Sequence, residues 1–218
     1  MKNILSLDSP IVRFMEHVAD FFILNILTVI CCIPLITAGA AFTAHFRMMQ
    51  NLVLDEEQQI VKAYFHTFKE NFKQATVVWL VTMLLIAMYV VDIFVIYVYF
   101  DAAWAQITYF ILAVLGVVTF GVVIYATALI ARYENTLKEH LRNSFILAIA
   151  NLPRTVLLIV LAAVPLLLAI VSIELFLNTM IIWFTFGISV ILFSQALVLK
   201  PIILRLEQTN TDSEEDES

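Results

Sequence analysis

The chain has 218 residues, 62% of them hydrophobic and 14% charged, with a formal net charge of −6. Soluble domains run at about 45–50% apolar and about 25% charged, so a water-soluble fold cannot hide this much hydrocarbon surface. The acidic balance also removes the electrostatic footprint that a nucleic-acid partner requires.

Five stretches carry the excess: 21–43, 75–100, 104–131, 155–176 and 181–199. None contains Lys or Arg. About 20 mostly apolar residues cross about 30 Å of hydrocarbon as a helix, and each stretch meets or nearly meets that length. Barrel strands would instead alternate over about 10 residues. The fold class expected is therefore an all-α integral membrane protein with five transmembrane helices.

In chain order, Asp8-Ser9-Pro10 supplies a helix start, with capping residues followed by a proline suited to the first turn. Ile11, Phe14, Met15 and Val18 then share one helical face and Arg13, Glu16, His17 and Asp20 much of the other, which predicts an amphipathic helix leading into the first apolar run. Within that run Cys31 and Cys32 are adjacent and point apart on a helix, so they read as packing residues. Ala38-Gly39-Ala40 faintly resembles a signal-peptide cleavage site, but the preceding region is long and carries Asp8, Glu16 and Asp20, unlike a short basic leader. Pro34 interrupts the run. A proline removes a backbone donor, so the run either kinks and crosses, the reading favoured here, or turns back as a re-entrant segment. Gly39 with Thr43, and Ala40 with Ala44, place small residues four apart, which permits close helix contact.

The connection after the first run holds Arg47, Lys62, Lys69 and Lys73; that after the third holds Arg132, Lys138, Arg142 and Arg154; Lys200 and Arg205 follow the fifth. The connections around Asp101 and 174–179 have no Lys or Arg, so the basic loops and the C-terminus are predicted to be cytoplasmic. Five spans then leave Lys2 and Arg13 outside, a mild conflict. Tyr97, Tyr99 and Trp104 fit an outer aromatic belt. Both basic loops carry an amphipathic stretch suited to the headgroup region. In the first, Ile60, Val61, Tyr64, Phe65, Phe68 and Phe72 oppose Lys62, His66, Lys69 and Lys73; in the second, Leu137, Leu141, Phe145 and Ile149 oppose Lys138, Arg142 and Asn143. Phe65, Phe68 and Phe72 are the candidate contact surface.

A shift of about 80 positions aligns Phe65 with Phe145 and Asn71 with Asn151, each asparagine just before an apolar run. This predicts a parallel two-unit repeat, with Asn71 and Asn151 as candidate helix caps. From Glu207 on, six acidic residues stand among Thr, Asn and Ser, and they account for the whole net charge. The domain expectation is a helical membrane domain over 1–206 and a disordered acidic tail over 207–218.

Ionisable groups at membrane depth are the default place to seek function. Asp92 and Glu174 qualify. Either both are interfacial, or both face a shared, externally open cation or proton site near Tyr89 and Tyr99. Asn25, Thr28, Thr37, Thr119, Tyr125, Ser194 and Gln195 are expected to hydrogen-bond between helices. His17, His45, His66 and His140 lack a metal-ligand spacing, and no phosphate loop or nucleophile elbow is present, so neither cofactor, metal nor catalytic site is expected.

The run 34–41, Pro-Leu-Ile-Thr-Ala-Gly-Ala-Ala, continuing to Ala44, together with 65–76 and Asn151-Leu152-Pro153-Arg154-Thr155, resembles the YesL-like family of small bacterial membrane proteins. The resemblance implies a multi-pass protein of the bacterial cell membrane and an accessory or regulatory role in carbohydrate uptake, with the lipid bilayer and components of a carbohydrate import system as partners. It implies no catalytic or binding residues. The alternative is a small transporter with its path between the two units, coupled through Asp92 and Glu174.

Overall fold

The computed structural model describes residues 10–56, 59–99 and 101–216, and no strand occurs among them. Helices follow in the order α1 (Pro10–Cys31), a 3-10 turn (Leu35–Thr37), α2 (Ala38–Val53), α3 (Ile60–Glu70), α4 (Phe72–Tyr99), α5 (Ala102–Arg132), α6 (Leu137–Ala150), α7 (Leu152–Val171), α8 (Ile173–Asn178), α9 (Met180–Ile182), a π-helical stretch (Trp183–Gly187) and α10 (Ile188–Asp216). Pro10 opens α1 as expected, while Asp8 and Ser9 lie outside the described residues.

Among the described residues, four helices are long and apolar enough to cross a membrane: Phe72–Tyr99, Trp104–Arg132, Leu152–Val171 and Met180–Gln208. Their outer faces expose Val77, Leu84, Phe94, Phe110, Leu166 and Ile170, among many others. Exposed apolar area on this scale marks surface that meets lipid rather than water.

The first apolar run does not become a fifth such helix. It breaks at Cys32–Pro34, and Thr28 of α1 then hydrogen-bonds His45 of α2 at 2.9 Å. Seventeen residues of continuous or gently kinked helix would separate those two by about 25 Å. The chain therefore reverses, and α1 and α2 form a helical hairpin in place of the expected kinked crossing. As α1 advances from Phe21 to Asn25, its partners on the last helix step back from Phe193 and Ser189 to Phe184, so α1 runs antiparallel to α10. The start of α1 and the far half of α10 thus lie at one end of the bundle.

Helix α2 is the hub. It is buried along nearly its whole length and packs on α1, α3, α4, α5 and α10. Small residues make this possible: a Cβ on Gly39 would stand 2.5 Å from the Ala75 carbonyl oxygen and 2.5 Å from the Trp79 Cβ, so α2 and α4 touch where glycine removes the side chain. Gly121 of α5 plays the same part against Thr155 of α7, at 2.4 Å.

Helix α6 faces opposite to what a water-soluble protein would require. On α6 the buried residues are His140, Ser144 and Ala148, while Leu141, Phe145, Ile146 and Ile149 are exposed. On α3 the expected apolar face divides. Tyr64 and Thr67 are buried, Phe68 and Phe72 pack ring to ring and are half-buried, and Val61 and Phe65 face outward.

Asn71 and Asn151 sit at the junctions α3–α4 and α6–α7, where their carbonyls accept the first amide bonds of the following helices, from Ala75 and Thr155, while their side chains turn back onto the preceding ones. Each donates its side-chain amide back four residues, Asn71 to Thr67 O at 3.3 Å and Asn151 to Leu147 O at 3.1 Å. Each side chain thereby satisfies an orphan carbonyl at the end of the preceding helix. Helix α10 continues through Asp216, so the expected domain boundary at 207 falls inside a helix, and the Glu207 carboxylate is held by Arg132 at 2.7 Å.

Candidate functional site

The first feature is a buried polar chain that ties the hairpin to the last helix. Asn25, Thr28, His45, Tyr64 and Ser189 are each fully buried. The π-helical stretch is where the chain anchors. A π turn breaks the regular ladder, and Asn25 fills the gap: its Nδ2 donates to Phe184 O at 2.7 Å and Trp183 O at 3.3 Å, and its Oδ1 accepts from the Ser189 amide at 3.0 Å.

Proton positions along the rest follow from counting donors. The single hydroxyl proton of Ser189 goes to Phe21 O at 2.7 Å, so the 3.0 Å contact to His45 requires that Nε2 carry a proton and donate to the Ser189 oxygen. His45 Nδ1 is then the acceptor for the Thr28 hydroxyl at 2.9 Å, and the Tyr64 hydroxyl lies 3.4 Å from both Thr28 Oγ1 and Ala41 O. Both ring nitrogens are used by a neutral imidazole. Burial agrees, pushing the His45 pKa down to about 3.

The second feature is a half-open cavity of about 490 Å³ bordered by α2, α4, α5, α7 and the last helix, including Gly39, Phe42, Trp79, Val123, Ala162, Pro165 and Leu192 among its walls. Its lining is mainly apolar. The polar side chains there are already engaged: Thr43 donates to Gly39 O, Thr82 to Val78 O, Thr127 to Val123 O, Trp79 to Leu35 O and Gln195 to Leu158 O, all between 2.7 and 3.0 Å.

At the end of the bundle where α2 and α5 finish, charge is concentrated. Arg132, its side chain 8% exposed, holds Glu56 at 2.6 Å and Glu207, while Arg47 donates to Arg132 O at 3.4 Å and Lys200 to Val53 O at 2.8 Å. These contacts join the chain after α2, the end of α5 and the end of α10.

The acidic pair of the sequence reading is placed elsewhere. Asp92 is exposed on α4, two turns before its end. Glu174 is exposed in the first turn of α8, beyond the end of α7 at Val171, where a carboxylate suits a helix N-terminus. Neither lines the cavity between the spanning helices. Of the contact-surface residues, Phe65 stands outward beside Lys62 and Lys69, whereas Phe68 and Phe72 are partly used in packing. The group that sequence reasoning missed is the His45 chain. Asn25 and Thr28 were legible as interhelical hydrogen-bonders, but His45 and Ser189 carry no local signal and meet only because the chain reverses at Pro34.

Comparison with known proteins is consistent with this picture and adds no chemistry. The family model described as a protein of unknown function, DUF624, matches residues 21–93, so over the hairpin, α3 and most of α4 the chain is similar to that uncharacterised family. No curated protein and no solved structure matches the chain.

Proposed function

We propose that this chain is a non-enzymatic, multi-pass protein of the bacterial cell membrane that assists or regulates carbohydrate uptake, and that it does so by presenting α3 as a contact surface at the cytoplasmic face. The observation that carries the reading is the outward side of α3. Val61 and Phe65 are exposed beside Lys62 and Lys69, at the charged end of the bundle. A face with both exposed hydrocarbon and positive charge suits headgroups and a partner held near them. The assignment to uptake rests on the YesL-like resemblance, with which the match to the uncharacterised family agrees.

Orientation follows from charge. With four crossings and a hairpin, the start of α1, both basic loops and the end of α10 share one side, and Arg13, Arg47, Arg132, Arg154 and Lys200 then obey the retention of positive charge in the cytoplasm. The hairpin thus removes the conflict that five spans created at the N-terminal side. The two-unit repeat is supported by the matching pairs Gly39–Ala75 and Gly121–Thr155, and by the identical back-bonds of Asn71 and Asn151.

The competing reading is a transporter coupled through Asp92. Growth-linked sugar uptake, with membrane abundance checked by blot, separates the two. On the accessory reading Phe65→Asp impairs uptake at normal abundance, because a carboxylate is placed on the docking face, while Asp92→Asn is silent. The reverse pattern overturns it. Phe65 is preferred to Phe68 because Phe68 packs on Tyr64 and Phe72, so its replacement also disturbs folding.

A further inference from the structure

We propose that the cavity among the spanning helices is a binding site for one acyl chain of a membrane phospholipid. This goes beyond the accessory role, which uses the opposite, outward surface of α3. Three observations carry it. The cavity is large, about 490 Å³, within the range of small-molecule sites. Its walls are hydrocarbon from five helices, with Phe42, Val123, Ala162, Pro165, Ile191 and Leu192 representative.

Most side-chain donors on those walls are spent, one N–H of the Gln195 amide excepted. The three threonine hydroxyls and the Trp79 indole N–H each donate to a backbone carbonyl, and Gln195 donates to Leu158 O. A sugar or other polyol entering here would leave most of its hydroxyl oxygens without donors, at the cost of desolvating them. Water fares little better, since it needs two to four polar partners and apolar cavities stay dry. An empty space of this size forfeits the dispersion contacts of its lining.

The surroundings decide the occupant. Four of the five helices that border the cavity turn long apolar faces outward, so the medium in contact with them is lipid, and the apolar chain at hand in highest concentration is a phospholipid acyl chain. Pro165 lines the cavity from within α7. A proline inside a helix opens the packing on its flank by kinking the axis, which provides room for a chain to enter.

Trp79 is a built-in reporter on the wall. In a background carrying Trp104→Phe and Trp183→Phe, purified full-length protein in detergent is titrated with phosphatidylcholine bearing a dibrominated acyl chain, and Trp79 emission is read. The expected result is saturable quenching, relieved by unbrominated phosphatidylcholine. Val123→Phe and Ala162→Phe, which fill the cavity from different helices, abolish the saturable part, while Leu166→Phe on the outer face of α7 leaves it intact. Should a filled variant fail to elute as folded protein, the milder Val123→Leu and Ala162→Val give a graded loss. Quenching that rises without saturation, or that ignores both filling series, overturns the proposal. Saturation by free dibromostearate and not by the phospholipid overturns the phospholipid as the source.

Discussion

His45 shows how a side chain with functional chemistry can be committed to structure. Its Nε2–H donates to Ser189 and its Nδ1 accepts from Thr28, both within 3.0 Å, so the neutral ring is held at two points and a proton would cost one of them. The consequence is a pH dependence with a defined sign. The unfolded chain takes up a proton near the ordinary histidine value of 6.5, whereas the folded pKa is about 3. Stability is therefore intact above pH 6.5 and is lost progressively as pH falls from 6.5 toward 3, because only the unfolded state gains the proton. His140, lowered by burial, adds to the same slope. Thermal unfolding in detergent between pH 4 and 7 is expected to show a falling midpoint, and His45→Gln to be less stable at pH 7 yet flatter with pH. An unchanged slope in His45→Gln would remove the ring from this account.

At the scale of elements, the last spanning helix depends on a residue from the first. A π-helical stretch leaves backbone groups without their usual partners, and here Asn25 supplies the bonds at Trp183, Phe184 and Ser189. Asn25→Ala leaves those buried groups unpaired, for an expected loss of about 2–3 kcal/mol. Asn25→Asp keeps the acceptor for Ser189 but loses the donor to the two carbonyls, so it is expected to be no better. Unfolding midpoints of the two variants in one detergent test this; a midpoint within error of the parent for Asn25→Ala would show that the stretch holds itself. Elsewhere, local signals sufficed. Thr136 and Glu139 form a reciprocal capping box at the start of α6, and the spacing of these two residue types states it in the sequence. Ser172 likewise ends the fourth apolar stretch early, by capping α8 through the Leu175 amide.

For the whole molecule, the hairpin changes the topology that the five apolar runs suggest. Four crossings would put the start of α1 on the same side as α3 and α6. Single cysteines in a background lacking Cys31 and Cys32 test this: Asn3→Cys and Glu139→Cys are expected to resist an impermeant thiol reagent added outside intact cells, and Asn178→Cys to react. Labelling of Asn3→Cys alone would restore a fifth crossing, and labelling of Glu139→Cys would invert the arrangement.

Composition and hydropathy were enough to determine that the chain is helical and apolar enough to lie in a membrane, because a run of 20 hydrocarbon side chains has few other physical solutions. They also located the starts of four long helices to within a few residues, but not every end: α7 stops at Val171, and the last helix runs on past Leu199 to Asp216. They could not decide the first run, since a proline states that a helix is interrupted but not the angle at which the chain resumes. That angle was decided by tertiary contacts: Gly39 against Ala75, and His45 between Thr28 and Ser189. The same holds for the cavity and for Asp92 and Glu174. Hydropathy reports how apolar a residue's neighbours in sequence are, whereas facing inward or outward depends on how whole helices rotate and pack, and only the folded structure fixes that rotation.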